Sequence, residues 1–120
     1  MKNIDKVLTD TYTFNAAANA FTAPPAYTLL TGRGNVVAMG VFLGNDNIAD
    51  LANLSFSVSV NSNEKIKNAS GLQFRPSTEG IPKVLQVDPE QWNEKSQVGF
   101  AFQNNSAAII PIAIVFYYGN

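Results

Sequence analysis

Residues 53 to 60 read Asn-Leu-Ser-Phe-Ser-Val-Ser-Val, and this strict alternation constrains the chain more than any other feature. Leu54, Phe56, Val58 and Val60 fall on one side of an extended backbone and Ser55, Ser57 and Ser59 on the other, because successive strand side chains point to opposite faces. A helix would scatter the same apolar residues around its circumference. The segment is expected to be a strand with one dry face and one wet face. The same period returns in Gln97 to Gln103, where Val98, Phe100 and Phe102 alternate with Gly99, Ala101 and Gln103. Val7 to Phe14 repeats it with Leu8, Tyr12 and Phe14 against Thr9, Thr11 and Thr13, leaving Asp10 as a discordant residue on the apolar register.

Further short runs rich in β-branched or large apolar residues are Tyr27 to Thr31, Val36 to Leu43, Leu72 to Arg75 and Lys83 to Val87. Ile109 to Tyr118 is apolar on both faces, the pattern of a strand covered on both sides. Pro111 within it cannot donate to a ladder and belongs at an edge, a bulge or the strand's first residues. These make eight candidate strands. Asp88-Pro89-Glu90-Gln91-Trp92 has the start signature of a short helix reaching to about Ser96, and Asp46 to Asn53 can form another with Asp46 as cap. Asn15 to Pro25, made of small residues and closed by two prolines, reads as a long packed surface loop.

The 120 residues suit a single domain covering residues 1–120. Charged residues are 14 % of the chain, about half the usual share, while 46 % are hydrophobic, so the chain folds and presents a neutral-polar surface. Even strand spacing with almost no helix implies an all-β fold. An antiparallel β-sandwich is expected, as an eight-stranded jelly roll with one or two short connector helices.

A net charge of −1 leaves no electrostatic footprint for a phosphate backbone, so nucleic acid is not expected as primary ligand. With no Cys and no His, thiol nucleophiles, histidine bases and the common zinc, haem and iron–sulfur ligand sets are missing. No catalytic residue, cofactor or metal site is assigned, and the chain is read as a non-enzyme. Glu90 and Glu94, four apart, mark a solvated helix face. Asp46, Asn47 and Asp50 offer oxygen ligands but lack the spacing and central glycine of a calcium loop. Gly32-Arg33-Gly34 leads into a β-branched run instead of a helix, which makes it a hairpin turn and not a phosphate loop. Asn68-Ala69-Ser70 matches the N-glycosylation pattern, accidental without a secretion signal. Met1 to Asp10 lacks the apolar block of such a signal, and no stretch is long and apolar enough for a transmembrane helix.

Two surface features bear on partners. Phe116, Tyr117 and Tyr118, beside the C-terminus, are either part of a buried strand or a subunit interface, where aromatic residues are enriched. Trp92 either folds back over the core or offers its indole as a platform for a sugar ring. Loops rich in Asn, such as Asn61-Ser62-Asn63 and Asn104-Asn105, supply uncharged donors and acceptors in either case.

Eight short strands in 120 residues, no Cys and a long N-terminal connection resemble the small single jelly-roll coat, penton or vertex proteins of tailless bacterial viruses. The resemblance is one of architecture over the whole chain and includes no signature motif. It implies a structural virion protein forming symmetric homo-oligomers, with another coat protein as a possible neighbour and the termini as contact arms. A carbohydrate-binding, lectin-like sandwich module is the alternative, resting on Trp92 and the Asn loops.

Overall fold

The alternating segments pair into two antiparallel sheets whose inner faces close on each other. The computed structural model describes residues 8–29, 35–75, 83–87, 92–93 and 95–119. Strands β1 (Leu8–Ala16), β4 (Asn35–Leu43), β7 (Lys83–Gln86) and β9 (Ile110–Gly119) form one sheet in the order β1-β9-β4-β7. In the other, β2 (Ala20–Thr22), β8 (Gln97–Asn104), β5 (Leu54–Val60) and β6 (Asn63–Ser70) lie in that order, and β3 (Tyr27–Thr28) also pairs with β8.

β2 and β3 are two halves of one interrupted edge strand. Thr22 pairs with Phe102 and Tyr27 with Val98, on the same flank of β8, so one extra residue is accommodated between them. Pro24 and Pro25 occupy this gap, where prolines unable to donate do least harm. Taken together they leave four strands in each sheet.

Leu54, Phe56, Val58 and Val60 are all buried, and the intervening serines are partly exposed. β8 repeats the pattern with Val98, Phe100, Phe102 and Asn104 inward. From the facing sheet come Val36, Met39, Val41, Ile112, Ile114 and Phe116, all buried. Aromatic rings bridge the layers: Tyr27 stacks on Phe116 at 5.0 Å and 12°, and Phe14 meets Phe102 edge-on at 5.3 Å. Behind them Phe56 stacks on Phe102 at 5.0 Å and takes the edge of Phe74 at 4.7 Å. Each such ring contributes about 1.5–3 kcal/mol through its burial, and the pair geometry adds to this.

Turn chemistry sets the register. Asn61 and Ser62 have positive φ (50° and 69°) between the paired Val60 and Asn63, the arrangement of a two-residue hairpin turn that follows the strand twist. The Asn61 side chain also accepts from the Gln97 amide at 3.0 Å and donates to Ser96 Oγ at 3.2 Å, fastening the turn to β8. Asn68, with φ 52°, lies where the β5–β6 register shifts, and Ser57 Oγ accepts its amide proton at 3.0 Å.

Several expectations are corrected. Leu72 to Arg75 is a 3₁₀ turn (Gly71–Phe74) instead of a strand, capped by Ser70 Oγ, with Phe74 delivered to the core. The connector helix α1 (Ile48–Ala52) is capped by Asn47 and not by Asp46, because Asn47 Oδ1 accepts from the Asp50 amide at 3.0 Å. The loop expected over Asn15 to Pro25 contains the end of β1 and all of β2. β6 has no sequence counterpart: only Ile66 and Ala69 pack on the core, and its bulges erase the period of two. The Gly32-Arg33-Gly34 turn, Glu90, Glu94, most of the Asp88 to Ser96 helix and the first seven residues lie outside the described residues.

Candidate interaction surface

The inner faces of both sheets are used for the core, and the outer faces are the broad described surfaces open to a partner; these differ. On the β5–β8 side, the outward residues are Ser55, Ser57 and Ser59 beside Gln97, Gly99, Ala101 and Gln103. Glu64, Lys65 and Lys67 are exposed on the adjoining β6, an edge strand whose charges discourage further pairing. A concavity of about 510 Å³ lies over this face, floored by Ser57, Ser59, Gly99 and Ala101 and walled by Pro24 and Glu64.

The outer face of the β1-β9-β4-β7 sheet has a different character. β9 turns Pro111, Ala113, Val115 and Tyr117 outward, flanked by Thr9, Thr11, Thr13 and Asn15 of β1 and by Ala38, Gly40 and Phe42 of β4. Val84 and Gln86 of β7 complete it. No charged side chain stands among these residues. Phe42 and Val37 are each 37 % exposed and Val84 46 %. The face is levelled by packing across the strands. A Tyr117 ring carbon lies 3.3 Å from where a Cβ of Gly40 would stand, and Val37 covers Gly119 in the same way at 3.1 Å. A concavity of about 590 Å³ opens at its end, between Asn15, Phe42, Gly44 and Pro111.

The three aromatic residues singled out from the sequence divide between the two sides of β9. Phe116 is fully buried and Tyr118 is 6 % exposed, both in the core. Alternation permits only Tyr117 to face outward, where it is partly exposed. A direct interface role for Phe116 and Tyr118 is thereby corrected to a core role. Tyr118 donates to Asp10 Oδ2 at 3.3 Å, which gives the discordant inward carboxylate of β1 a partner. Trp92 is 4 % exposed and belongs to the core cluster, with Met39, Leu85 and Ile66 lining the same recess. An indole so covered presents no face on which a sugar can stack, which corrects the platform reading.

The polar clusters serve the fold. Asn45 Nδ2 donates to Asp50 Oδ2 at 3.0 Å, the Asn47 amide donates to Asn45 Oδ1 at 2.7 Å, and Arg75 Nε donates to the Asp46 carbonyl at 2.7 Å. Among the described residues no group of three or more carboxylates could hold a metal ion. No helix among them is long and apolar enough to cross a membrane.

The β9 aromatics stand out in the sequence, whereas Phe42, Val37 and Val84, which adjoin them on the same face, do not. The available signal was that Ile109 to Tyr118 lacks the polar alternate positions of Leu54 to Val60. The class defined by this architecture is an antiparallel two-sheet β-sandwich with one outer face that carries no charge among the described residues. No protein-family model, curated protein or solved structure matches the chain.

Proposed function

We propose that this chain is a non-enzymatic structural subunit of a symmetric homo-oligomer, in its specific form a coat, penton or vertex protein of a virion, and that its sandwich is a jelly roll. The observation that carries the reading is the strand order. With β2 and β3 counted as one strand, the sheets run first-eighth-third-sixth and second-seventh-fourth-fifth, the interleaving in which a pair of Greek keys wraps eight strands into two sheets. Viral coat and lectin domains both use this winding, and fold alone does not choose between them. The uncharged outer face favours assembly, since subunits that associate must desolvate that contact at low cost.

The test is the solution mass of the purified chain by size-exclusion chromatography with light scattering, over a hundredfold range of concentration and at low and high salt. A discrete closed oligomer whose mass is insensitive to salt is expected, because screening acts on charges and the described residues of this face carry none. A strict monomer under all these conditions overturns the self-assembling reading.

A further inference from the structure

β9 poses a problem of sheet chemistry. An antiparallel sheet with one wet face alternates apolar and polar residues, as β5 does with its serines, whereas a strand apolar on both faces is covered on both. The inner side of β9 meets the core through Ile112, Ile114 and Phe116. On its outer side Ala113, Val115 and Tyr117 are only partly buried by their neighbours, and Phe42 and Val84 beside them stay well exposed.

We infer that the outer face of the β1-β9-β4-β7 sheet is covered by the same face of a second copy of this chain, the two packed sheet on sheet about a twofold axis. The inference rests on the homo-oligomeric reading above and names its contact. Size is the first argument. Strands of nine, ten, nine and four residues, rising about 3.4 Å per residue and about 4.8 Å apart, make a face of roughly 500 Å² before side-chain relief, so that a twofold contact approaches the roughly 1,200 Å² total at which specific interfaces begin. Val37, Phe42, Val84, Val115 and Tyr117 give the face an apolar centre, and the largest apolar patch of a single chain is often functional.

Charge selects the occupant. A face whose described residues carry no charge repels no copy of itself, and its apolar centre leaves fewest polar groups unpaired against another such centre. The opposite sheet is a poorer match, since it would bring Ser55, Ser59 and Gln97 against Val115, Tyr117 and Phe42. Geometry adds that twisted sheets pack face to face at about −30° and about 10 Å, a relation that two identical sheets satisfy about a twofold axis. Thr9 and Asn15 towards the two ends of β1 and Gln86 on the opposite flank then form the polar rim.

The chain contains no cysteine, so single introduced thiols report cover cleanly. Thr11→Cys and Val84→Cys on this face and Gln103→Cys on the opposite face, each with an unchanged circular-dichroism spectrum, would be labelled with a maleimide at dilute and concentrated protein. At the concentrated end we expect a dimer or another even-numbered oligomer. Labelling at positions 11 and 84 should slow at least fivefold there, with position 103 unchanged, and Val84→Lys should lower the mass. A trimer or pentamer with positions 11 and 84 still reactive overturns this contact and leaves the assembly reading standing. Protection at position 103 together with 11 and 84 overturns the twofold arrangement in favour of a head-to-tail one. A monomer overturns both the contact and the self-assembling reading.

Discussion

The Tyr118 hydroxyl donates to the Asp10 carboxylate across 3.3 Å, joining the two residues that fit least well with their surroundings, a phenol in the core and an acid on the inward register of an edge strand. Leu8 pairs with Tyr118 and Asp10 with Phe116, so the two side chains meet diagonally across neighbouring strands. An inward charge also keeps a foreign strand from adding to the outer edge of β1. Tyr118→Phe removes the hydroxyl and keeps the ring. Stability to urea should fall by about 1 kcal/mol, the usual net value of such a bond, and an unchanged midpoint would show that the pairing contributes nothing.

Asn104 should be far more sensitive. Its amide nitrogen donates to the carbonyls of Ala108 at 2.8 Å and Ala16 at 3.3 Å. Its oxygen accepts from the Ser106 amide at 3.0 Å and from the Ser106 hydroxyl at 2.7 Å, all at a fully buried position. Asn104→Ala removes all four bonds at a buried position, leaving Ser106 Oγ only the Ala108 carbonyl at 3.3 Å, and should cost about 2–3 kcal/mol in chemical denaturation. Asn104→Asp cannot donate to the two carbonyls and should rescue little.

The hairpin between β5 and β6 offers a gain. Ser62 holds a φ of 69°, which glycine adopts without the Cβ penalty. Ser62→Gly should raise stability by about 0.5–1 kcal/mol, visible as a higher thermal midpoint. A lower midpoint would mean that the turn is not under this strain.

Gly71 is a position where a single methyl group should be harmful. A Cβ there would stand 2.7 Å from the Leu51 carbonyl oxygen and 3.0 Å from Leu54 Cβ, between α1 and the start of β5. Gly71→Ala should destabilise by about 1–3 kcal/mol, the usual range for overpacking a filled core. A neutral effect would indicate that α1 moves aside freely.

Trp92 supplies an optical check. At 4 % exposure its emission should be blue-shifted and resist quenching by iodide, and no panel of sugars should alter it. Red emission that shifts on adding a sugar would return the chain to the lectin-like alternative.

Much of this architecture is legible in the residues themselves. Leu54 to Val60, Gln97 to Gln103 and Val7 to Phe14 declare which side chains share a face, because the period of two is set by the geometry of the extended backbone. What the alternation cannot express is which strand lies beside which, since pairing brings together residues as far apart as Leu8 and Tyr118. β6 was invisible because an edge strand with two register shifts has no single apolar face. β2 was hidden in a run of small residues, and it is a strand only because β8 offers it a ladder.

The same division holds for the surface. The sequence alone determined that the chain is all-β, charge-poor and apolar on both sides of its last strand. The tertiary structure alone decided that Phe116 and Tyr118 turn inward, that Tyr117 lies outward over Gly40, and that Phe42 and Val84 join it on an uncharged sheet face. Trp92 went to the core by the same means. The physical reason is that a residue's facing follows from its local backbone, whereas its cover depends on what distant segments place against it.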